Sequence, residues 1–380
     1  MPGPRSGPRP TAGGGGGEVG LLPRLTSLRF FAAAAVFLFH LDLWDVASLP
    51  WDLASVGYAG VGLFFLLSGF VLAWGTRPGL PARTFYRRRF ARVWPSHAVA
   101  LLCAAVLPVV AVQRDPATAV PNLFLVQAWY IRDEGVVFGM NGVSWSLSCE
   151  AFFYATFPLA VLVVRRVPMA LGWLAALAGL SCSLVLALEW PGPAFHLPLS
   201  RYGEFLLGLV AGVAVGNGWR PRVPGAAAAV AVVLGAAASG VLPFPLPGVV
   251  LAVPFLLLVL HLALRDLEQR RGWLQHRALV FAGEASFAFY LVHELAIVNL
   301  REHVPSRTLP AVLVITPVVL VAAVALHLLV ERPANRLLRD RPGSIALAAA
   351  ADIDAARSRA HREGQQDTGY GRTPDRSADG

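Results

Sequence analysis

Two side chains suited to proton and anion chemistry stand eleven residues apart in the first long apolar segment, Leu28-Arg-Phe-Phe-Ala-Ala-Ala-Ala-Val-Phe-Leu-Phe-His40. At about 100° per residue, eleven steps return almost to the starting direction. A helix therefore places Arg29 and His40 on one face, about 16 Å apart along its axis. His40 is then expected about mid-helix, with Arg29 near the segment's start. An imidazole is costly to hold in hydrocarbon, so it faces a protein interior or a wet cavity. With an ordinary pKa near neutrality it can remove a hydroxyl proton during acyl transfer.

Other polar residues sit in apolar surroundings. Ser144-Trp-Ser-Leu-Ser-Cys-Glu-Ala-Phe-Phe-Tyr154 puts Glu150 just inside a membrane boundary, with Tyr154 one turn away on the same face. A carboxylate there needs a partner such as a histidine or an arginine. In Gly283-Glu-Ala-Ser-Phe-Ala-Phe-Tyr-Leu-Val-His293, residues Ser286, Tyr290 and His293 fall at i, i+4 and i+7, one polar stripe on an apolar helix. His293 is expected in the same half as His40 and Glu150, as a site residue or as a structural buried histidine. Glu204, in Arg201-Tyr-Gly-Glu, is either the partner of Arg201 at i−3 or a site residue. Ser68-Gly69 reads first as a small pair permitting close helix approach. The stretch Phe85-Tyr-Arg-Arg-Arg-Phe-Ala-Arg-Val-Trp-Pro95 reads as a loop with four arginines. It anchors at headgroups or holds a phosphate, because guanidinium forks bind phosphate oxygens in pairs. Arg89 and Arg92, at i and i+3, share one face and could grip one anion.

The elements that must position these groups are membrane helices. The chain has 380 residues, 56% hydrophobic and 14% charged, against about 25% charged in a soluble domain. About ten apolar segments are expected to span a membrane, at 26–43, 57–76, 94–112, 147–164, 169–188, 201–217, 223–241, 247–264, 278–298 and 310–330. A further stretch near Pro121–Tyr130 is too short to span and reads as re-entrant or interfacial. All 32 basic residues are arginines. With both termini in the cytoplasm, 27 of the 32 fall on the inner face, as the positive-inside rule asks. These positions and the residue bias speak against a nucleic-acid partner. Cys103, Cys149 and Cys182 match no metal motif and give no disulfide framework. Residues 1–23 read as a disordered lead without a signal peptide's cleavage pattern, 24–341 as the transmembrane domain, and 342–380 as a disordered cytoplasmic tail.

Taken together these motifs resemble the acyltransferase-3 family of integral membrane acyltransferases. Arg29–x10–His40 is similar to its Arg-x10-His signature, and Phe65-Leu-Leu-Ser-Gly-Phe70 to its Ser-Gly-Phe segment. Arg89-Phe-Ala-Arg92 with Pro95 resembles its Arg-x-x-Arg motif, although Ser96-His97 stands where the family usually has an aromatic residue. Trp145-Ser-Leu-Ser-Cys-Glu150 resembles its Trp-x-Leu-x-x-Glu block, Tyr290-Leu-Val-His293 its late span, and Glu331-Arg-Pro333 its closing Glu-x-Pro. Each motif alone is weak, whereas six in order are specific.

The resemblance implies transfer of an acyl group, often acetyl, from acyl-coenzyme A to a hydroxyl. The acceptor would be a cell-surface glycan, a lipid-linked saccharide or a glycosylated metabolite such as a macrolide. By the same resemblance His40 is the base or a transient acyl carrier, and Arg29 orients the donor or tunes His40. Arg89 and Arg92, supported by Ser68, contact coenzyme A, and Glu150 fixes the imidazole or positions the acceptor. Tyr154, His293, Ser286 and Glu204 support the substrate or the structure. No metal is expected, and no soluble hydrolase-like domain, so the reading is a stand-alone multi-pass enzyme of a bacterial cell membrane. A permease for acylated saccharides is the alternative, but transporter halves often repeat and these halves show no convincing match.

Overall fold

The computed structural model of the protein describes residues 22–48, 56–107 and 115–338. Of the two expected tails, Pro23 falls inside a helix and residues 1–21 and 342–380 lie outside the described residues. Ten helices of 15 residues or more carry the described fold, and each corresponds to one apolar segment of the sequence. They are α1 (Pro23–Leu43), α2 (Gly60–Gly75), α3 (Ala82–Val106), α4 (Trp145–Arg166) and α5 (Met169–Glu189), followed by α6 (Tyr202–Gly216), α7 (Gly225–Ser239), α8 (Ala252–Leu267), α9 (Arg277–Leu300) and α10 (Leu309–Leu326). Six of them, α1, α4, α5, α8, α9 and α10, are long and apolar enough to cross a membrane once adjoining turns are included. The apolar helices α2, α6 and α7 are shorter. The structure thus gives six candidate spans by length and composition, where about ten are expected from sequence. Apolar side chains point outward on the outer helices, as with Leu174 and Leu188 of α5, Val233 of α7 and Val321 of α10. A lipid-facing surface requires this pattern.

Two helix pairs set the core. The α2–α6 pair packs closely because Gly69 lies on the Phe205–Leu209 backbone, where any Cβ would strike the Phe205 carbonyl. The α1–α9 pair is similarly close at Gly283, which faces the Thr26 carbonyl. Aromatic side chains fill the space between α2, α4 and α6, with Phe153 and Phe205 stacked at 4.8 Å.

The arginine stretch is a helix, not a loop. Arginine is a good helix former, and α3 starts after Pro81 and runs on through Pro95. Residues 115–144 form a cap of short turns, including Pro116–Leu123, Gln127–Trp129 and Glu134–Val137. Several of their buried polar groups bond to one another or to the cap's own backbone, although Gln127 Oε1 and Asn141 Oδ1 have no partner among the described residues. Asn122 Nδ2 donates to the Thr118 and Val136 carbonyls, each at 3.0 Å, and Gln127 Nε2 donates to Ser144 O at 2.9 Å. His97 of α3 ties to Asn122 O at 2.8 Å. Because this cap precedes α4, the first turns of α4 are already enclosed, with Ser146, Leu147 and Cys149 all buried.

One end of the bundle is pinned by charge. Arg24 pairs with Asp266 at 2.6 Å and also donates to the Arg270 carbonyl. The chain after α10 passes through a π-turn, His327–Glu331. That turn delivers the buried Glu331 carboxylate to Arg92 and to His327 Nδ1, the latter at 3.0 Å. Arg332 reaches Glu284 of α9 at 3.1 Å. The start of α1, the start of α9 and the end of α10 therefore share this arginine-rich end. At the opposite end Arg307 meets Asp45 at 2.6 Å.

Candidate active site

His40 lies in the last turn of α1 rather than about mid-helix, because the helix stops at Leu43 and the Trp44 N–H caps back onto the His40 carbonyl. Its ring nitrogens have different surroundings. Nδ1 is 2.8 Å from the Val36 carbonyl, which can only accept, so Nδ1 carries the proton. The same Nδ1 is 3.3 Å from Nε2 of His293, whose own Nδ1 donates to Tyr290 O at 2.7 Å. Both imidazoles are thus held in the Nδ1–H tautomer by backbone carbonyls. This leaves the lone pair on His40 Nε2 as the free basic site. Nε2 sits 3.8 Å from Glu294 Oε1, and Trp44 Nε1 donates to that same oxygen at 3.2 Å.

A cavity of about 640 Å³ opens on this group. His40, Trp44 and Glu294 line it, together with Tyr290, Trp145 and Glu134. Its size suits a drug-sized or oligosaccharide-sized ligand. A second, narrow cavity of about 30 Å³ lies against it, sharing Val61 and Tyr290 as walls. Arg29 and Glu150 line this narrow space. The Tyr290 hydroxyl, 2.9 Å from Ser146 Oγ, stands between the two.

The Glu150 carboxylate accepts from Ser68 at 2.9 Å and from Tyr154 at 2.8 Å. It does not touch His40. The expected imidazole partner on α4 is replaced by Glu294 on α9, because the cap sets Glu150 deeper in the bundle, toward the arginines. Arg89 lies over the Phe85 and Tyr154 rings, at 6.0 and 5.9 Å. Arg92, paired with Glu331, lies 5.8 Å over the Phe287 ring. Arg29 and Arg89 are close enough to repel Arg92 electrostatically. The Arg29 Nε is buried and has no hydrogen-bond partner.

Two other expected site residues belong to the framework. Glu204 pairs with Arg201 at 2.8 Å, both side chains fully buried, and Ser286 donates to the Gly283 carbonyl of its own helix at 2.8 Å. Neither lines either cavity.

His40 thus lines the larger cavity, while Arg29, with Arg89 and Arg92 near it, borders the narrow one. Comparison with known proteins supplies the family. A family model described as an acyltransferase domain matches residues 22–329. The chain belongs to the acyltransferase-3 family.

The acyltransferase is 36% identical over 370 residues to acyltransferase MdmB of Streptomyces mycarofaciens, which covers 84% of this chain and 94% of that one. It is 27% identical over 162 residues to the peptidoglycan O-acetyltransferase OatA of Listeria monocytogenes, spanning 38% of this chain and 25% of the relative. The O-acetyltransferase OatA of Staphylococcus aureus is 28% identical over 160 residues, again spanning about a quarter of its length, 24%. No solved structure matches the chain.

Reading the sequence of this acyltransferase missed Glu294, Trp44 and Glu134. Two of them carried a signal. Glu294 is at i+4 from Tyr290 and Trp44 at i+4 from His40, so each continues a helical face already picked out. Glu134 depends on how the cap folds and had no such signal.

Proposed function

We propose that this acyltransferase moves an acyl group, acetyl foremost, from acyl-coenzyme A to a hydroxyl of a sugar or glycoside seated in the His40 cavity. Its setting is a bacterial cell membrane, with both termini cytoplasmic and the His40 end facing outward. The single observation that carries it is the His40 Nε2 lone pair, fixed by backbone carbonyls and facing a cavity of substrate size.

The donor's thioester supplies an activated acyl carbon and a thiol leaving group. The chain's own residues do the rest. His40 Nε2 takes the proton of the acceptor hydroxyl as its oxygen bonds to the acyl carbon and the C–S bond breaks; the proton then passes to the departing sulfur. Glu294, 3.8 Å away, stabilises the imidazolium formed in between. His293 accepts from His40 Nδ1–H and holds the ring in register. At the other end, Arg29 fits an anionic donor because its buried Nε lacks a partner and its neighbours are cations. Arg89 would share the phosphates with it. Arg92 would add charge from a position already fixed by Glu331. Glu150, held by Ser68 and Tyr154, would line the path between donor and acceptor.

The test is transfer from labelled acetyl-coenzyme A to a panel of glycosides in vesicles. Arg89→Ala with Arg92→Ala is expected to raise the KM for the donor about tenfold while leaving the acceptor KM within about twofold. An unchanged donor KM overturns the phosphate role, and no transfer to any hydroxyl acceptor overturns the reaction.

A further inference from the structure

The acceptor cavity has a distinct electrical character. Among the described residues, its wall carries two carboxylates, Glu134 and Glu294, and no arginine. This is unusual in a chain whose net charge is +9. Between the carboxylates the lining is aromatic, with Trp44, Tyr58, Trp145 and Phe195 all contributing. The Trp145 and Phe195 rings lie 4.5 Å apart and make a continuous wall. Glu294 is 8% exposed. Its Oε1 is engaged by Trp44, but its Oε2 is buried with no hydrogen-bond partner. Gly142 leaves room for that oxygen, since a Cβ there would meet it. Oε2 is closed off against Gly142, so a ligand in the cavity meets Glu294 as a carboxylate that no arginine of the wall neutralises. Glu134, by contrast, is exposed, in the first turn of the short helix Glu134–Val137.

Carboxylates set among aromatic faces recognise organic cations, since ring quadrupoles and acid groups attract the same charge. They repel phosphates and other carboxylates. We propose that the acceptor is a glycoside bearing a protonated amine, bound with its ammonium toward Glu294 and Glu134 and its hydroxyl toward His40 Nε2. The inference rests on the acyl-transfer reading above and narrows its substrate class. A cationic amphiphile of metabolite size fits the cavity. An anionic wall polymer, or a saccharide on a lipid pyrophosphate, would bring negative charge to an acidic wall.

Equilibrium binding without donor separates this idea from the transfer reading. The probes are a labelled macrolide carrying a dimethylamino sugar, its N-demethylated and N-acetylated counterpart, which is neutral and similar in size, and a phosphorylated disaccharide. The amine is expected to bind about tenfold more tightly than its neutral counterpart, and the phosphorylated sugar more weakly than both. Glu134→Gln is expected to narrow the gap several-fold, and because Glu134 is exposed this variant does not threaten folding. Glu294→Gln should narrow it further. Equal binding of amine and amide, tighter binding of the phosphorylated sugar, or no binding of the amine overturns the inference. The transfer reading is judged separately. Amine binding without acetyl transfer sinks that reading and keeps the cation site, whereas transfer without preference does the reverse.

Discussion

At the scale of single residues, the proposed chemistry depends on which nitrogen of His40 holds the proton. The Val36 carbonyl and His293 both sit on the Nδ1 side, so Nε2 is basic and faces the cavity. His40→Ala is expected to lower acyl transfer by about 10³-fold, the usual range for a general base being 10²–10⁴, with the protein still membrane-inserted and monodisperse. Labelled acetyl transfer measured beside a size-exclusion profile checks this; near-normal transfer in a folded variant would remove His40 from the mechanism. His40, His293, Ser68, Glu150 and Tyr154 could be picked out in the sequence because each is polar in an apolar helix, and such residues turn inward. Their pairing could not be read off. Helical spacing says which residues share a face of one helix, but not which helix lies opposite. The carboxylate beside His40 therefore came from α9 and not from α4.

Among the elements, the short segments are least legible and the clamps between helices most open to test. Long apolar runs declare nine of the ten helices and only the second half of α3, whose first half is rich in arginine. The cap at 115–144 does not declare itself, because Asn122, Gln127 and Ser144 become tolerable only when they bond to one another. His196 joins the short helix Pro191–His196 to this cap, with Nδ1 3.1 Å from Ala128 O. Burial holds its pKa below the ordinary imidazole value, more than the Ala128 bond raises it. The unfolded chain therefore binds the proton more readily than the folded one. This contribution to stability is fully present above about pH 6.5 and is lost as pH falls toward the depressed folded value. Thermal unfolding of the wild type should accordingly show a loss on acidification that His196→Gln reduces; parallel pH profiles would refute the assignment. A second clamp is Arg92–Glu331, where the carboxylate is fully buried and the guanidinium 25% exposed. Truncating either side should destabilise by about 2–4 kcal/mol, since the remaining group stays buried and uncompensated. Arg92→Met with Glu331→Leu should cost less than the sum of the two single changes. Strict additivity in denaturation experiments would show that the pair is not coupled.

For the whole molecule, the two ends of the bundle differ in charge, and this difference ties topology to mechanism. The start of α1 and the end of α10 both belong to the arginine-rich end, through Arg24 with Asp266 and Arg332 with Glu284. Arginines near span ends are retained in the cytoplasm, so the proposed topology puts this end, with the proposed donor site among Arg29 and Arg89, on the cytoplasmic side. On that reading the His40 cavity opens at the opposite face, and the acyl group would pass Tyr290, which lines both cavities. Sequence alone shows the charge asymmetry, but the wall shared by the two cavities forms only when α2, α4 and α9 come together. The topology gives a direct prediction. A fluorescent protein fused after Gly380 should fluoresce, as it does only when left in the cytoplasm. An epitope inserted at Ser306, in the turn between α9 and α10, should be reached by antibody in intact spheroplasts. The opposite labelling pattern would place the arginine cluster outside, away from any cytoplasmic donor, and the acyl path would then have to run the other way or not at all.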